Sequence, residues 1–231
     1  MRLPGPDYPA PAKLNLFLHI VGRRPDGYHL LQSVFTPIDL CDRIRIQVRD
    51  DGRIERANDV AGVAEDDDLA VRAARLLQET TGSRLGATVE VEKNIPVGGG
   101  LGGGSSDAAT VLLVLNRLWK TGFDEEGLAE IGRSLGADVP FFVQGAPAWA
   151  EGIGDRLRRF ELPALWYVVL APPVSVPTPA IYAAAELTRN TEALKMEDFS
   201  AHPPAFTEDP RFRNDMEAVV VARYPEVREH L

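Results

Sequence analysis

Alternation of apolar and polar side chains predicts several strands. Residues 14–20 (LNLFLHI) place every second side chain on one apolar face, and residues 42–48 (DRIRIQV) and 88–94 (TVEVEKN) repeat this spacing. A period of two residues is typical of a strand with one buried face. A continuous apolar run at residues 166–173 (WYVVLAPP) predicts a further, buried strand that ends at two prolines.

Other segments have the spacing of helices. Residues 66–82 (DDDLAVRAARLLQETTG) begin with acidic side chains and end with a glycine, as helices commonly do. Residues 105–119 are apolar almost all round, which predicts a deeply buried helix. We expect a short amphipathic helix at residues 124–136 and a further helix at residues 214–231 that is broken near Pro225.

The order of these elements predicts an α+β fold. The strands cluster early and do not alternate regularly with helices, so we expect helices packed on a mostly antiparallel or mixed sheet. The composition changes near residues 157–166. We therefore predict two domains, residues 1–156 and residues 157–231, with a polar, proline-bearing loop over residues 195–212 in the second.

Composition narrows the class of partner. The 231 residues include 45% hydrophobic side chains and carry a net charge of −9, with a pI of about 5.0. Nucleic acids and anionic membranes favour a basic face, so we expect neither as a partner. Cys41 is the single cysteine, which excludes an internal disulfide and suits a reducing cytoplasm. We expect it to be buried or half-buried, and we expect a cytoplasmic protein.

Six glycines occur within residues 98–104, directly before the apolar helix. A backbone without side chains lets N–H groups converge on an anion, and the start of a helix adds partial positive charge. The hydroxyls of Ser105 and Ser106 can cap that helix or bind a phosphate or its metal ion. The segment lacks the lysine of a P-loop, and its match to the dinucleotide pattern lacks the following acidic strand end. Alternatively, the glycine segment is a flexible linker without a binding role.

The glycine segment closely resembles the ATP loop of the GHMP small-molecule kinases, which include galactokinase, homoserine kinase, mevalonate kinase and phosphomevalonate kinase. Within that superfamily the chain resembles the 4-diphosphocytidyl-2-C-methyl-D-erythritol kinases. The segments that carry this resemblance are PAKLNLFLHIVGRRPDGYHLLQSVF, IPVGGGLGGGSSDAATVLLVLN, LGADVPFFVQGAPAWAEGIGD, VSVPTPAIYAA and NDMEAVVVARYPEV. The resemblance implies a two-lobed fold with a ribosomal-protein-S5-like N-terminal lobe. It also implies a ferredoxin-like C-terminal lobe that is incomplete, because the chain ends before the family's last glycine motif.

The resemblance implies transfer of the γ-phosphoryl group of ATP to the 2-hydroxyl of a methylerythritol that carries cytidine diphosphate. Lys13 and Asp138 match the catalytic positions. A carboxylate can accept the hydroxyl proton, although sequence leaves open whether Asp138 abstracts that proton or orients the hydroxyl. Alternatively, Asp138 caps a helix and Lys13 is a solvated surface residue. The residues that match the ATP loop are Pro96, Val97, Gly98, Gly99, Gly100, Leu101, Gly102, Gly103, Gly104, Ser105 and Ser106.

Magnesium is inferred from the charge of the triphosphate, and Ser106 is a candidate ligand for it. The positions that match the family's substrate site are Asn15, Tyr28, His29, Thr178 and Tyr182. Aromatic rings at such positions can stack on cytosine. The pair Arg23 and Arg24 is either a solvated turn or a phosphate contact, and we interpret His19 as structural.

Two other functions stay open from the sequence. One is a kinase of the same superfamily for another small alcohol such as homoserine. The other is a catalytically weak nucleotide-binding protein without the last glycine motif. We expect a small-molecule substrate as the partner and a monomer or homodimer, without nucleic acid or membrane.

Overall fold

The computed structural model describes residues 2–200 and 209–230. The regular elements are β1 (Tyr8–Arg23), β2 (His29–Arg49), β3 (Ile54–Arg56), α1 (Leu69–Thr81), β4 (Gly86–Glu92), α2 (Gly103–Trp119), α3 (Glu125–Arg133), α4 (Val139–Gln144), β5 (Ala148–Glu151), β6 (Arg156–Arg159), α5 (Thr178–Tyr182), α6 (Met196–Ser200), α7 (Glu217–Arg223) and α8 (Pro225–Arg228). The predicted α+β class is confirmed. Among the described residues, no helix has both the length and the apolar character needed to cross a bilayer.

The strands form a mixed sheet, as the sequence predicted. Its order is β3-β4-β2-β5-β6, and β1 pairs with β2. β4 runs antiparallel to β2, with Ile44 opposite Val91, and parallel to β3. β5 runs antiparallel to both β2 and β6. Ile44, Ile46, Val89 and Val91 are buried, so the period of two places these side chains in the core.

The chain divides into two compact units. Two of the dividing points fall within β1 and β2, and the others fall between elements. Unit 1 contains the chain up to Lys13, Pro37–Ile95 and Gly102–Gly145. Unit 2 contains Leu14–Thr36, Pro96–Leu101 and the described chain from Ala146 onward. The domain boundary that we placed between residues 156 and 157 stays a prediction.

The core of unit 1 is built around α2, which packs against α1 and α4. α1 begins at Asp68, whose side chain accepts a hydrogen bond of 2.9 Å from the N–H of Ala70, and it ends at Gly82 with φ of 64°. Both ends agree with the sequence prediction. Ala108, Val111, Leu112 and Leu115 of α2 are at most 1% exposed. The predicted deep burial of this helix is confirmed, and burial fixes its N-terminus firmly within unit 1.

Unit 2 contains two apolar clusters. The first consists of Phe17, Val34, Trp149, Phe199 and Phe212, and the second of Ile20, Ile181, Ala184, Leu187 and Val219. The buried carboxylate of Asp215 accepts hydrogen bonds from the N–H of Ile20 (2.8 Å) and the hydroxyl of Thr191 (2.7 Å). This carboxylate ties β1 to the later segments that complete the second cluster.

The predicted buried strand at residues 166–173 is wrong. These residues are all described, and they form neither strand nor helix. Trp166 is 97% exposed and Val168 is 90% exposed. An apolar run indicates a preference for burial but not whether a neighbouring strand exists to pair with it. Of the loop predicted at residues 195–212, Met196–Ser200 is helical, while residues 201–208 lie outside the described residues.

Candidate active site

The two residues predicted to be catalytic lie side by side in unit 1. Nζ of Lys13 is 3.5 Å from Oδ2 of Asp138. The side chain of Lys13 is 6% exposed and that of Asp138 is 30% exposed. Lys13 is therefore buried and is not a solvated surface lysine. Burial of a charged amine is unfavourable unless the amine is paired, and Asp138 contributes such a pair.

Asp138 occupies the N-cap position of α4. Within the described residues its side chain accepts no capping hydrogen bond from α4, so the capping interpretation does not account for the carboxylate. The chain before it approaches α2 closely, because a Cβ on Gly136 would lie 3.4 Å from Oγ of Ser105. The start of α4 thus brings a partly exposed carboxylate close to the first turn of α2.

Packing leaves little room for a side chain at two glycines at the start of α2. Gly102 has φ of 73°, and a Cβ there would lie 2.8 Å from Cζ of Phe142 and 3.2 Å from Cγ of Lys13. A Cβ on Gly103 would lie 3.1 Å from Nζ of Lys93. The bare backbone at Gly102 therefore lets Lys13 reach its position beside the helix start.

A cluster of charged residues contacts the first turns of α2. It was not predicted from the sequence. Lys93 donates hydrogen bonds to the carboxylate of Asp42 and, at 2.8 Å, to that of Asp107. The other oxygen of Asp42 accepts from the N–H groups of Asn94 (2.6 Å) and Ile95 (2.8 Å). These contacts fix the end of β4, where the glycine segment begins, against α2. We call Asp42, Lys93 and Asp107 the ionic cluster.

The ionic cluster holds two carboxylates and one amine in a buried place. Burial alone lowers the pKa of Lys93, but its interactions with Asp107 and Asp42 outweigh burial and the pKa is raised. Burial raises the pKa of Asp107 to about 7, against the opposing effect of Lys93. The positive charge of one amine therefore does not fully compensate the negative charges of two buried carboxylates. The raised pKa of Asp107 is the consequence.

Ser106 is a second polar feature of the first turns of α2. Its hydroxyl is buried, and among the described residues it has no hydrogen-bond partner. No group of three or more described His, Cys, Asp or Glu side chains could hold a metal ion. Magnesium bound to a nucleotide commonly takes few protein ligands, because phosphates and water supply the rest. A hydroxyl at this helix start without a partner among the described residues therefore fits the candidate role of Ser106 as a magnesium ligand.

In unit 2, two of the predicted substrate residues meet. The rings of His29 and Tyr182 are stacked, with centroids 4.8 Å apart and planes inclined by 18°. Tyr182 packs on the second apolar cluster of this unit. A flat pair of this kind offers a rigid platform of the sort on which a nucleobase can stack.

Comparisons with known proteins agree with this geometry. The profile of the GHMP kinases N terminal domain matches residues 68–146. This range contains the whole glycine segment and Asp138. A 4-diphosphocytidyl-2-C-methyl-D-erythritol kinase of Aromatoleum aromaticum is 58% identical over 221 residues, covering 96% of this chain and 75% of the relative. The same-named enzyme of Thiobacillus denitrificans is also 58% identical, covering 97% of this chain and 78% of the relative.

The chain belongs to the 4-diphosphocytidyl-2-C-methyl-D-erythritol kinase family. A crystal structure of 4-(cytidine 5'-diphospho)-2C-methyl-D-erythritol kinase matches the fold with a TM-score of 0.79 at 36% identity, covering 96% of this chain and 80% of that one. The family is one of kinases, so the predicted class of enzyme is confirmed. The fold predicted from the resemblance is confirmed with it.

The other predicted substrate residues of this kinase lie in unit 2 and are exposed to solvent. Tyr28 is 61% exposed, and Asn15 and Thr178 are exposed as well. Tyr28 is the last residue of the turn that joins β1 and β2, and it directly precedes His29, the first residue of β2. Their role in binding stays a prediction, although each of them can be reached from solvent.

The turn between β1 and β2 explains the two arginines. Nε of Arg23 donates to the carbonyl of Gly27 at 3.0 Å, and Arg24 forms an ion pair of 2.7 Å with Asp26. Gly27 has φ of 94°, which favours glycine at that point of the turn. These contacts favour the interpretation of a solvated turn over a phosphate contact. His19, interpreted as structural, is 1% exposed and its ring lies edge-on to Phe17.

The first part of the predicted ATP loop, Pro96–Leu101, belongs to unit 2. Gly98 has φ of 78° and lies so close to Ser175 that a Cβ would overlap its hydroxyl. Gly100 has φ of 73°, and no atom of the described, non-adjacent residues would lie within 4 Å of a Cβ added there. Val97 is 66% exposed, whereas Leu101 is buried. The segment is therefore accessible along most of its length.

Proposed function

We propose that this protein transfers the γ-phosphoryl group of ATP to the 2-hydroxyl of 4-diphosphocytidyl-2-C-methyl-D-erythritol. The observation that carries the proposal is the pair of Lys13 and Asp138, 3.5 Å apart, beside the glycine-rich start of a buried helix. The names of the relatives specify this substrate. Their 58% identity over nearly the whole chain supports the same choice here.

In this reaction the substrate oxygen forms a bond to the γ-phosphorus while the bond from that phosphorus to the ADP oxygen breaks. The hydroxyl proton passes to the carboxylate of Asp138, which is partly exposed and can meet an incoming alcohol. Lys13 supplies positive charge next to this carboxylate and to the phosphoryl oxygens. Positioning and charge compensation are the main contributions that a protein makes to phosphoryl transfer.

The loop from Pro96 to Ser106 binds the triphosphate in this proposal. N–H groups in the first turn of a helix have no acceptor within the helix and attract an anion, an effect that the helix dipole strengthens. Magnesium, when bound with the nucleotide, offsets phosphate charge. Ser106 is the residue that would hold it, because its buried hydroxyl lacks a partner among the described residues.

The cytidine group binds in unit 2, according to the same proposal. Tyr28, His29 and Tyr182 supply aromatic surface, and stacking on one ring contributes about 1–3 kcal/mol per base. Asn15 and Thr178 offer polar side chains to the erythritol and diphosphate. A family resemblance and the stacked pair of His29 and Tyr182 support this assignment.

A coupled assay of ADP release tests the proposal. The purified chain is incubated with ATP and magnesium, and with either the cytidine-linked substrate or homoserine. We expect turnover with the cytidine-linked substrate only. Turnover with homoserine alone would show that the proposed substrate is wrong. Binding of ATP without turnover of either alcohol would indicate a nucleotide-binding protein that is not a kinase.

A further inference from the structure

Arg189 joins His29 to the main chain around the end of α5. Its Nε donates to Nε2 of His29 at 3.1 Å. Its Nη1 donates to the carbonyl of Leu187 at 2.9 Å, and its Nη2 donates to the carbonyls of Tyr182, at 3.0 Å, and of Ala184. The guanidinium group therefore uses four hydrogen bonds, and three of them go to the backbone.

The backbone that holds Arg189 is itself firmly placed. Ile181, Ala184 and Leu187 belong to the second apolar cluster of unit 2 and are at most 4% exposed. A planar guanidinium group that is fixed by hydrogen bonds to three backbone carbonyls loses little further freedom when it forms one more bond. The direction of its Nε–H bond, and hence the position of His29, is consequently set by the core.

The bond from Arg189 determines which nitrogen of His29 carries the proton. A guanidinium group has N–H donors and no acceptor, so Nε2 of His29 has to accept with its lone pair. A neutral imidazole whose Nε2 accepts carries its hydrogen on Nδ1. Burial, followed by the charges of Arg189 and Arg23, lowers the pKa of His29, which favours this neutral ring.

We propose that Arg189 is a positioning residue that holds His29 as a hydrogen-bond donor at Nδ1 and thereby selects a pyrimidine with an acceptor edge. The proposal rests on the proposed binding of cytidine diphosphate in unit 2. Cytosine presents an unprotonated N3 and a carbonyl oxygen, whereas uracil carries a hydrogen on N3. A fixed Nδ1–H therefore favours cytosine over uracil, and Tyr182, stacked on the same imidazole, keeps the ring plane in place.

Nuclear magnetic resonance of protein with 15N-labelled histidine tests the first part without any ligand. The signals of His29 are assigned by their loss in His29→Gln. At pH 7.5 we expect a protonated Nδ1 and an unprotonated Nε2 in the unaltered chain. In Arg189→Met we expect the proton to redistribute toward Nε2. A wild-type His29 with its proton on Nε2, or with both nitrogens protonated, would overturn the proposal.

Calorimetric binding of CDP and UDP tests the second part. We expect the unaltered chain to bind CDP more tightly, and Arg189→Met to weaken CDP about tenfold while UDP changes less than twofold. Arg189→Gln retains an N–H donor and should keep most of the preference, which also covers the case that the methionine variant does not fold. An unchanged ratio of the two affinities in Arg189→Met, or no binding of either nucleotide by the unaltered chain, would contradict the proposal.

Arg223→Met is the matched control. Arg223 donates to the carbonyl of Ala180 at 3.3 Å and pairs with Glu186 at 3.1 Å, so it contacts the same helical segment without touching His29. We expect this variant to leave both the tautomer and the CDP preference unchanged. Failure of this proposal can be distinguished from failure of the proposed function. A chain that transfers no phosphoryl group can still show the predicted tautomer of His29 and the preference for CDP.

Discussion

Oδ2 of Asp138 lies 3.5 Å from Nζ of Lys13, although Asp138 holds the position from which an aspartate commonly caps a helix. Asp124 shows the usual arrangement in the same unit: it precedes α3, and its carboxylate accepts the N–H of Gly127 at 2.9 Å. Two aspartates at equivalent helix positions thus have different partners. This difference allows a catalytic role and a structural role to be separated by experiment.

Asp138→Asn should abolish most turnover while it leaves folding and ATP binding nearly unchanged. The amide keeps the shape of the side chain but cannot accept the hydroxyl proton, and general-base catalysis typically contributes about 10²–10⁴-fold. We expect kcat to fall by about that factor in the ADP-release assay. Calorimetry should give an ATP affinity within about threefold of the original.

Asp124→Ala is the control for this prediction. Loss of a helix cap lowers the free energy of unfolding by about 1 kcal/mol. We expect that loss in urea denaturation, together with unchanged kcat. A near-normal rate for Asp138→Asn would remove this carboxylate from the reaction.

Gly102→Ala should lower stability by more than backbone strain alone explains. Its Cβ would lie 2.8 Å from Cζ of Phe142 and 3.2 Å from Cγ of Lys13. Gly82→Ala is the matched control, because Gly82 has φ of 64° and, among the described residues, no atom within 4 Å of the added Cβ. We expect about 1 kcal/mol for strain at Gly82 and about 2–4 kcal/mol at Gly102, measured by urea denaturation. Equal losses at the two positions would show that the packing around Lys13 adapts.

Asp107→Asn should make the stability of the protein less dependent on pH. The pKa of Asp107 is raised to about 7, above the ordinary value of about 3.9. The stability that its neutral form contributes is complete below about pH 4 and is lost as the pH rises through about 7. The asparagine variant lacks this loss. We therefore expect its unfolding free energy, relative to the unaltered chain, to rise by about 1 kcal/mol or more between pH 4 and pH 8.

The measurement for Asp107→Asn is urea denaturation in EDTA without nucleotide, so that no bound ion contributes. Asp42→Asn is the contrasting variant in the same cluster. Asp42 is 0% exposed and accepts from two backbone N–H groups as well as from Lys93. Loss of its charge should destabilise the protein by about 3–5 kcal/mol. Similar effects of the two asparagine variants at pH 8 would contradict the uneven sharing of charge described above.

Tyr182→Leu should weaken substrate binding more than catalysis. Loss of one stacked ring corresponds to about 1–3 kcal/mol, which is a rise of about 5- to 150-fold in KM for the cytidine-linked substrate. Tyr182→Phe retains the ring and should stay within about twofold. Steady-state kinetics at saturating ATP measures both. An equal effect of leucine and phenylalanine would show that the hydroxyl of Tyr182, rather than its ring, serves the substrate.

Local pattern predicted the elements whose signals lie within a few residues. Asp68 and Gly82 mark the two ends of α1 in the sequence as they do in the structure. The apolar run of α2 predicted its burial correctly, because such a helix has no face suited to solvent. The strands of Val89 and Val91 and of Ile44 and Ile46 followed from their period of two.

The features that the sequence did not predict depend on contacts between residues far apart in the chain. Asp42 and Lys93 are 51 residues apart, and no local spacing indicates that they meet, although an aspartate within an apolar helix marks Asp107 as unusual. Arg189 and His29 are 160 residues apart. The error at residues 166–173 has the same origin, since an apolar run does not reveal whether a partner strand is present. Lys13 and Asp138 were identified only through family resemblance, because a lone lysine and a lone aspartate carry no pattern.

The ionic cluster contacts the chain at both ends of the glycine segment. Asp42 holds the N–H of Ile95 on one side, and Gly103 packs on Lys93 on the other. The seven intervening residues are therefore a short span with two anchored ends, which restricts how much disorder the segment can have before a ligand arrives. A nucleotide that orders this span has less chain entropy to overcome. In the proposed function, the three charged side chains thereby link the rigidity of this segment to the affinity of the protein for ATP.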